Sequence, residues 1–157
     1  MRKSLLLAVL VLVFTGCQKP VQWKEKKCSS QIEFMGFTKE SAFSTVKSQL
    51  EKWNLNFKDT VSFNSKIIDT YWIKWQNVNY EKIRFYFNKN DSLEQISIWI
   101  LNKKDFEALK WKFQSKYSLH KEEVVRSNYY EFKDKNEDFI KMFFDKDNDF
   151  YKVDIFF

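Results

Sequence analysis

The sequence predicts an α+β fold made of tandem α-β-β-β repeats, which form an antiparallel sheet with two helices packed on one face. The stretches 85–100 and 142–157 align without a gap, as FYFNKNDSLEQISIWI and MFFDKDNDFYKVDIFF. Each is preceded by a helical apolar stripe and by further strand-like alternation. Because one helix covers three strands poorly, two such units are expected to share a core.

Residues 1–16 have the pattern of a secretory signal peptide, since a basic start precedes an apolar run that is too short to span a bilayer as a mature helix. The next residues, Phe14-Thr15-Gly16-Cys17, resemble the lipobox of bacterial lipoproteins. This resemblance implies that lipid on Cys17 anchors the protein to the cell membrane or outer membrane, facing the periplasm or exterior. An ordinary signal peptide cut after Gly16, or an uncleaved anchor, is the alternative.

Residues 17–30 are expected to form the lipidated N-terminus and a flexible tether. The segment is polar and contains Pro20 and the run Lys24-Glu25-Lys26-Lys27, so it has little apolar surface to bury. Cys28 lies in it and has no partner if Cys17 carries lipid. It is then a free thiol, an intermolecular bridge or an exposed thiol without a role.

The composition narrows the classes of function. Aromatic residues make up 19% of the chain, which favours a packed core over disorder. With only two glycines, both at or before Gly36, the folded part has no Gly-rich phosphate-binding loop. The net charge of +6 falls to +4 when Arg2 and Lys3 leave with the signal peptide, and this small, interspersed surplus indicates a solvated surface rather than a nucleic-acid partner. One histidine and two cysteines do not make a metal set, and no cofactor is predicted.

The first repeat is assigned to residues 31–101. Thr38 with Ser41 is the expected N-cap region of its helix, whose apolar stripe is Phe43, Val46, Leu50 and Trp53. About six extra residues between 54 and 66 predict a loop or a short strand around Val61 to Phe63. Three strands follow: Ile67 to Trp75, Lys82 to Asn88 and Leu93 to Leu101.

The second repeat is assigned to residues 102–157. Asn102 is the expected N-cap, and Phe106, Leu109, Phe113 and Tyr117 form the stripe. Its strands are predicted at Asn128 to Lys133, Asp138 to Phe144 and Phe150 to Phe157. Polar turns between neighbouring strands predict antiparallel hairpins, six strands in all.

Alternation along the strands separates a core face from an open face. The open face should be polar, yet it holds aromatic residues among charges, and apolar patches of this kind tend to mark interaction sites. The predicted protein-binding residues are Trp72, Arg84, Tyr86, Trp99, Tyr129, Lys141, Phe143 and Phe156. The alternative is that these side chains pack across strands, stabilise the sheet and bind nothing.

The lipobox, the tether and Gly36-Phe37-Thr38-Lys39-Glu40 before antiparallel strands resemble the small bacterial lipoproteins of the SmpA/OmlA group. The doubled unit is similar to the β-lactamase-inhibitor-protein-like and PepSY-like tandem repeats. These resemblances imply an α+β layer whose open sheet face meets a protein partner, and they imply no individual functional residue.

Little in the sequence indicates catalysis. His120 is placed at the end of the second helix among charged residues, and no pair of carboxylates stands out. The run Asp145-Lys146-Asp147-Asn148-Asp149 resembles the start of a calcium loop but lacks its glycine and its glutamate. We therefore expect a non-catalytic, membrane-anchored lipoprotein that binds an envelope protein or a second copy of itself. A carbohydrate- or lipid-binding envelope protein is the alternative.

Overall fold

The structure is a computed structural model that describes residues 31–62, 65–123, 129–134 and 136–157. The predictions for the signal peptide, for Cys17, for the tether and for Cys28 lie outside these residues. In chain order the elements are α1 (Phe43–Lys52), β1 (Phe57–Val61), β2 (Lys66–Trp75), β3 (Val78–Phe87), β4 (Leu93–Ile100), α2 (Lys103–Lys116), β5 (Ser118–Glu123), β6 (Tyr129–Lys133), β7 (Phe139–Asp145) and β8 (Phe150–Phe156).

The strands form one antiparallel sheet in the order β1-β2-β3-β4-β8-β7-β6-β5. The predicted α+β class is confirmed. The expected number of six strands is wrong, because the sheet has an edge strand on each side that the alternation did not predict as such. β1 lies near the expected short strand, whereas β5 occupies a polar stretch where the sequence predicts the end of the second helix.

The two central strands, β4 and β8, join the halves of the sheet. Ile96 lies opposite Ile155 and Ile98 lies opposite Val153, and all four side chains are fully buried. Between these pairs Ser97 lies opposite Asp154. Each half of the sheet therefore consists of a helix followed by four strands, and the halves meet through the last strand of each.

The alignment of the halves fails upstream of β3 and β7. Phe85 and Met142 are aligned residues, but Phe85 lies opposite Ile68 while Met142 lies opposite Tyr130. Extended upstream at the same offset, the alignment of 85–100 with 142–157 predicts that Trp72 corresponds to Tyr129 and Ile73 to Tyr130. The register shows that both correspondences are wrong. The β2–β3 hairpin, which turns between Trp75 and Val78, extends beyond the length of its counterpart β6–β7.

Both helices pack on the same face of the sheet. The rings of Phe43 and Phe87 meet edge to face at 5.3 Å, and Trp53 packs on Trp75 at 4.7 Å, so α1 covers β2 and β3. Within α2, Phe106 packs on Tyr151 at 4.6 Å and Phe113 on Phe132 at 6.3 Å. The predicted apolar stripes thus face the core in both helices.

The two helices begin differently. In α2, the side chain of Asn102 accepts a hydrogen bond from the backbone N–H of Asp105 at 2.8 Å, which confirms the predicted N-cap. In α1, the N-cap is Ala42, which has no capping side chain. The backbone N–H of Phe43 instead donates to the carbonyl of Asp91 at 3.1 Å, so the turn after β3 takes the place of the expected cap at Thr38 or Ser41.

A segment before α1 completes the core. Ile32 is fully buried, and its backbone N–H donates to Oδ2 of Asp134 at 3.0 Å. The rings of Phe34 and Phe37 meet Tyr80 and Phe85 edge to face at 5.8 and 5.4 Å. The segment therefore lies on the helix side of the sheet and contacts both halves.

Candidate functional site on the open sheet face

No described residue covers the face of the sheet opposite the helices, which we call the open face. On β3, β4, β7 and β8 the inward residues are almost all fully buried, while their outward neighbours are largely half-buried. Of the predicted site residues, seven lie together on this face: Arg84, Tyr86, Trp99, Tyr129, Lys141, Phe143 and Phe156.

A row of polar side chains crosses the middle of the open face. The register places each member directly opposite the next on the neighbouring strand, from β2 to β5. We call this the charged row, and its members are Asp69, Arg84, Ser97, Asp154, Lys141, Glu131 and Lys121. Its signs complement each other across neighbouring strands, an arrangement that stabilises sheet pairs.

At one end of the charged row, Arg84 binds Asp69 with two hydrogen bonds, from Nε to Oδ1 at 2.6 Å and from Nη2 to Oδ2 at 2.8 Å. Lys82 adds an ion pair to Asp69 at 3.5 Å. Burial alone would raise the pKa of Asp69, but the hydrogen bond from Arg84 and the two positive charges outweigh it and hold the pKa below its usual value. The carboxylate is therefore ionised at neutral pH and fixes the Arg84 guanidinium on this face.

At the centre of the row, the Asp154 carboxylate is only 6% exposed. It accepts a hydrogen bond from Ser97 Oγ at 2.6 Å and a weaker one from Gln95 Nε2 at 3.4 Å, and it forms an ion pair with Lys152 at 3.0 Å. A buried charge is tolerated when it is paired and hydrogen-bonded in this way. The cluster holds together β4 and β8, the two strands that join the halves.

A second row alternates rings and lysines along one side of the charged row. Lys82 lies 5.4 Å from the ring centroid of Tyr71 and 5.2 Å from that of Trp99. Lys152 lies 5.6 Å from Trp99 and 5.9 Å from Phe143. These five side chains, which we call the ring–lysine row, come from five neighbouring strands and place Trp99 between two ammonium groups.

The other side of the charged row is also aromatic. Phe139 and Phe156 stack with their ring centroids 4.7 Å apart, and Lys141 lies 5.0 and 5.7 Å from the same two rings. On β3, the guanidinium of Arg84 lies 5.7 Å from the ring of Tyr86. The cations of the open face therefore lie against rings as well as carboxylates, which is typical of side chains that keep a fixed position.

Tyr129 lies towards the β5 edge. Its hydroxyl donates to Glu131 Oε2 at 2.7 Å, and Lys121 lies 5.5 Å from its ring. Burial, together with the hydrogen bond to Glu131, raises the pKa of Tyr129 above its usual range. The phenol thus remains a neutral donor at the pH of the envelope.

Trp72 is exposed as predicted but lies apart from the rows. Its φ of 55° breaks the alternation of β2, so that Tyr71 and Trp72 are both exposed in succession. The Trp72 side chain is 72% exposed and makes no ring or cation–π contact within the described part of the chain. Trp72 is therefore a separate exposed side chain and has no counterpart in Tyr129.

Sequence reasoning missed four members of this surface. Tyr71, Lys82, Phe139 and Lys152 were not among the predicted binding residues, although they take part in more than half of its cation–π contacts. Phe139 and Lys152 could have been found from strand alternation. Tyr71 could not, because the positive φ at Trp72 reverses the alternation between residues 67–71 and residues 73–75 of β2, so no single pattern follows one face along the strand.

The residues weighed for chemistry lie elsewhere or have other partners. His120 is in β5, not at the end of α2 as predicted, and its Nε2 is 3.9 Å from Glu131. The carboxylate of Asp145 accepts hydrogen bonds from the backbone N–H groups of Asp147 and Asn148, so it closes the β7–β8 turn. Within the described ranges, no three His, Cys, Asp or Glu side chains come close enough together to hold a metal ion.

Comparison with known families gives one match. The family model of the prokaryotic membrane lipoprotein lipid attachment site matches residues 1–18, a range that contains Cys17. The protein is thus a bacterial lipoprotein with a signal peptide and a lipid anchor in the membrane. Neither the curated proteins nor the solved structures contain a match. Among the described helices, none combines the length and the apolar character needed to cross a membrane.

Proposed function

We propose that this lipoprotein is a non-catalytic protein-binding module of the cell envelope, held on the periplasmic or exterior side of the membrane by lipid on Cys17. The observation that carries the proposal is the ring–lysine row, which alternates aromatic and cationic side chains across five strands of an open face. The rings of this row and Arg84 of the neighbouring charged row are of the types enriched at the centres of protein interfaces, whereas lysine is depleted there, so the rings are the expected anchors. A partner with an acidic, partly apolar surface would match this face.

The extent of the surface favours a protein over a sugar. Neighbouring strands lie about 4.8 Å apart, so a row over five strands spans about 19 Å. A protein partner buries about 800 Å² on each side and therefore needs anchors distributed over such a distance. A sugar site concentrates its polar groups on one local platform. Here the rings are separated by lysines, and the carboxylates of Asp69 and Asp154 are already paired.

We also propose that the two halves are repeats of one unit. The order of elements, one helix and then four strands, supports this, and so does the register between β4 and β8. Ser97 and Asp154 are aligned residues in the two halves, and they lie opposite each other. A local two-fold axis through this pair would relate Trp99 to Phe156 and Tyr86 to Phe143, and so would place aromatic residues on both sides of the charged row.

The experiment compares the open face with the helix side in living cells. A photo-crosslinking amino acid replaces Tyr86 on the open face or, as the control, Trp111, which is 69% exposed on α2. Irradiation is expected to give a discrete protein adduct from position 86 and none from position 111. An adduct of twice the monomer mass would identify the partner as a second copy of the chain.

The anchors are tested by substitution in the same cells. Trp99→Ala and Trp72→Ala should weaken binding of the partner by about 2 kcal/mol or more if these side chains are hot spots. Trp111→Ala should leave the binding free energy unchanged. Variants that stay folded and keep the full adduct would contradict the proposal. Crosslinking at position 86 to lipid or glycan alone would instead support the carbohydrate- or lipid-binding alternative.

A further inference from the structure

A pocket of about 460 Å³ lies on the helix side of the sheet, away from the open face. It lies between the end of α1, the second half of α2, the segment before α1 and the β2–β3 turn, and its volume is in the range of small-molecule sites. Its apolar lining includes Phe34, Trp53, Trp75 and Phe113. Because Trp53 and Trp75 pack on each other at 4.7 Å, they present a fixed aromatic wall.

The charges at this pocket have the sign needed for an anion. Two lysines, Lys112 and Lys116, line it together with one carboxylate, Glu33. Lys112 Nζ donates to the backbone carbonyl of Gln76 at 2.9 Å and to Oε1 of the same residue at 3.2 Å, both neutral acceptors. No acidic side chain in the described part of the chain forms an ion pair with Lys112. Its charge is therefore not neutralised.

The Lys112 ammonium is partly shielded from water. Burial lowers the pKa of the Lys112 ammonium, because the pocket wall removes part of its water. Tyr80 also lines the pocket and is only 2% exposed. Burial and the charge of Asp105 raise the pKa of Tyr80, so this phenol stays protonated and uncharged. The pocket therefore combines a partly buried ammonium group with an aromatic wall.

We propose that this pocket binds a small, planar aromatic monoanion, with its ring against Trp53 and Trp75 and its acidic group on Lys112. A flat ring uses the rigid aromatic wall, since ring contacts contribute beyond the area they bury. The two lysines and Glu33 give the pocket lining a net charge of +1, which a single negative charge on the ligand would balance. The site is separate from the open face, so its test does not depend on the proposed partner.

The test uses the lipidated protein in phosphatidylcholine nanodiscs and three probes that share one ring. Indole-3-acetate is the anion, indole-3-acetamide the neutral analogue and tryptamine the cation. Titration calorimetry, corrected with empty nanodiscs, should show the anion binding about tenfold or more tightly than either analogue. A tenfold difference corresponds to about 1.4 kcal/mol, close to the contribution of one hydrogen bond to a charged group. Octanoate, an aliphatic anion, should bind more weakly than indole-3-acetate.

Substitutions assign the effect to Lys112. Lys112→Gln should remove the preference for the anion, and Lys112→Arg should retain it. Lys103→Gln, an exposed lysine at the start of the same helix, should leave it unchanged. The proposal is overturned if the three indole probes bind equally, if octanoate matches indole-3-acetate, or if folded Lys112→Gln protein keeps the preference. Failure of indole-3-acetate to saturate any site on the folded protein would overturn it as well.

Discussion

Truncation of equivalent core residues gives the sharpest test of the two-unit architecture. Ile98 and Ile155 occupy aligned positions in the two central strands, and both are fully buried. Replacing either with Ala removes the same atoms from the same depth and leaves a cavity, which costs about 2–5 kcal/mol. If the halves are equivalent units, the two losses should agree to within about 1 kcal/mol, a difference small beside the range that cavity relaxation produces.

The chain supplies a matched control in the same residue type. Ile67 is on β2 with its side chain towards the open face and is only half-buried. Because less apolar surface is lost there, Ile67→Ala should cost about 1 kcal/mol or less. The three free energies of unfolding are measured by denaturant titration with tryptophan fluorescence. One harmless and one severe core substitution would refute equivalence of the halves, and an Ile67→Ala loss as large as the others would refute the assignment of the faces.

Two further predictions concern the charged row and the lipid anchor at Cys17. Asp69→Asn should lower the free energy of unfolding at pH 7 by about 1.5–3 kcal/mol, because Arg84 loses a charged acceptor. Since the pKa of Asp69 is lowered in the folded state, its contribution is present above the unfolded pKa and disappears as the pH falls through the folded pKa. The difference between the two proteins should therefore begin to shrink below about pH 4 and vanish below the folded pKa of Asp69, and a constant difference down to pH 2 would contradict the ion pair. Cys17→Ala should abolish incorporation of labelled palmitate. It should also leave the signal peptide uncleaved, which would be seen as lower mobility on a gel. If the variant still incorporates the label, another residue carries the lipid.

Strand alternation predicted the faces of the central sheet because buried strands have to alternate when one side is open. Ile96, Ile98, Val153 and Ile155 could be assigned to the core from the sequence alone, and the structure confirms them. β5 was not predicted because Ser118–Glu123 shows little alternation of apolar and polar residues. An edge strand pairs on one side only and need not be apolar.

Other features depend on contacts between distant residues. Ile32 is held by Asp134, about one hundred positions further along the chain, and no local pattern around Ile32 predicts that contact. The left-handed backbone at Trp72 has no glycine to indicate it. The residue types of the binding surface could be predicted, but the ring–lysine row could not. It depends on the register of β2, β3, β4, β7 and β8, which only the folded sheet defines.

The contacts within the open face bear on whether it stabilises the sheet or binds a partner. Lys82 and Lys152 each lie against two rings, and Arg84 is held by two hydrogen bonds to Asp69. Ordering a long side chain at an interface costs about 0.5–1.5 kcal/mol, and here the fold has already ordered these three. The same contacts therefore stabilise the sheet and would lower the entropy lost on binding the proposed partner. Trp99 is half-buried between two lysines and is not part of the core. If the Trp99→Ala protein stays folded but no longer binds the partner, the open face both stabilises the sheet and binds a partner.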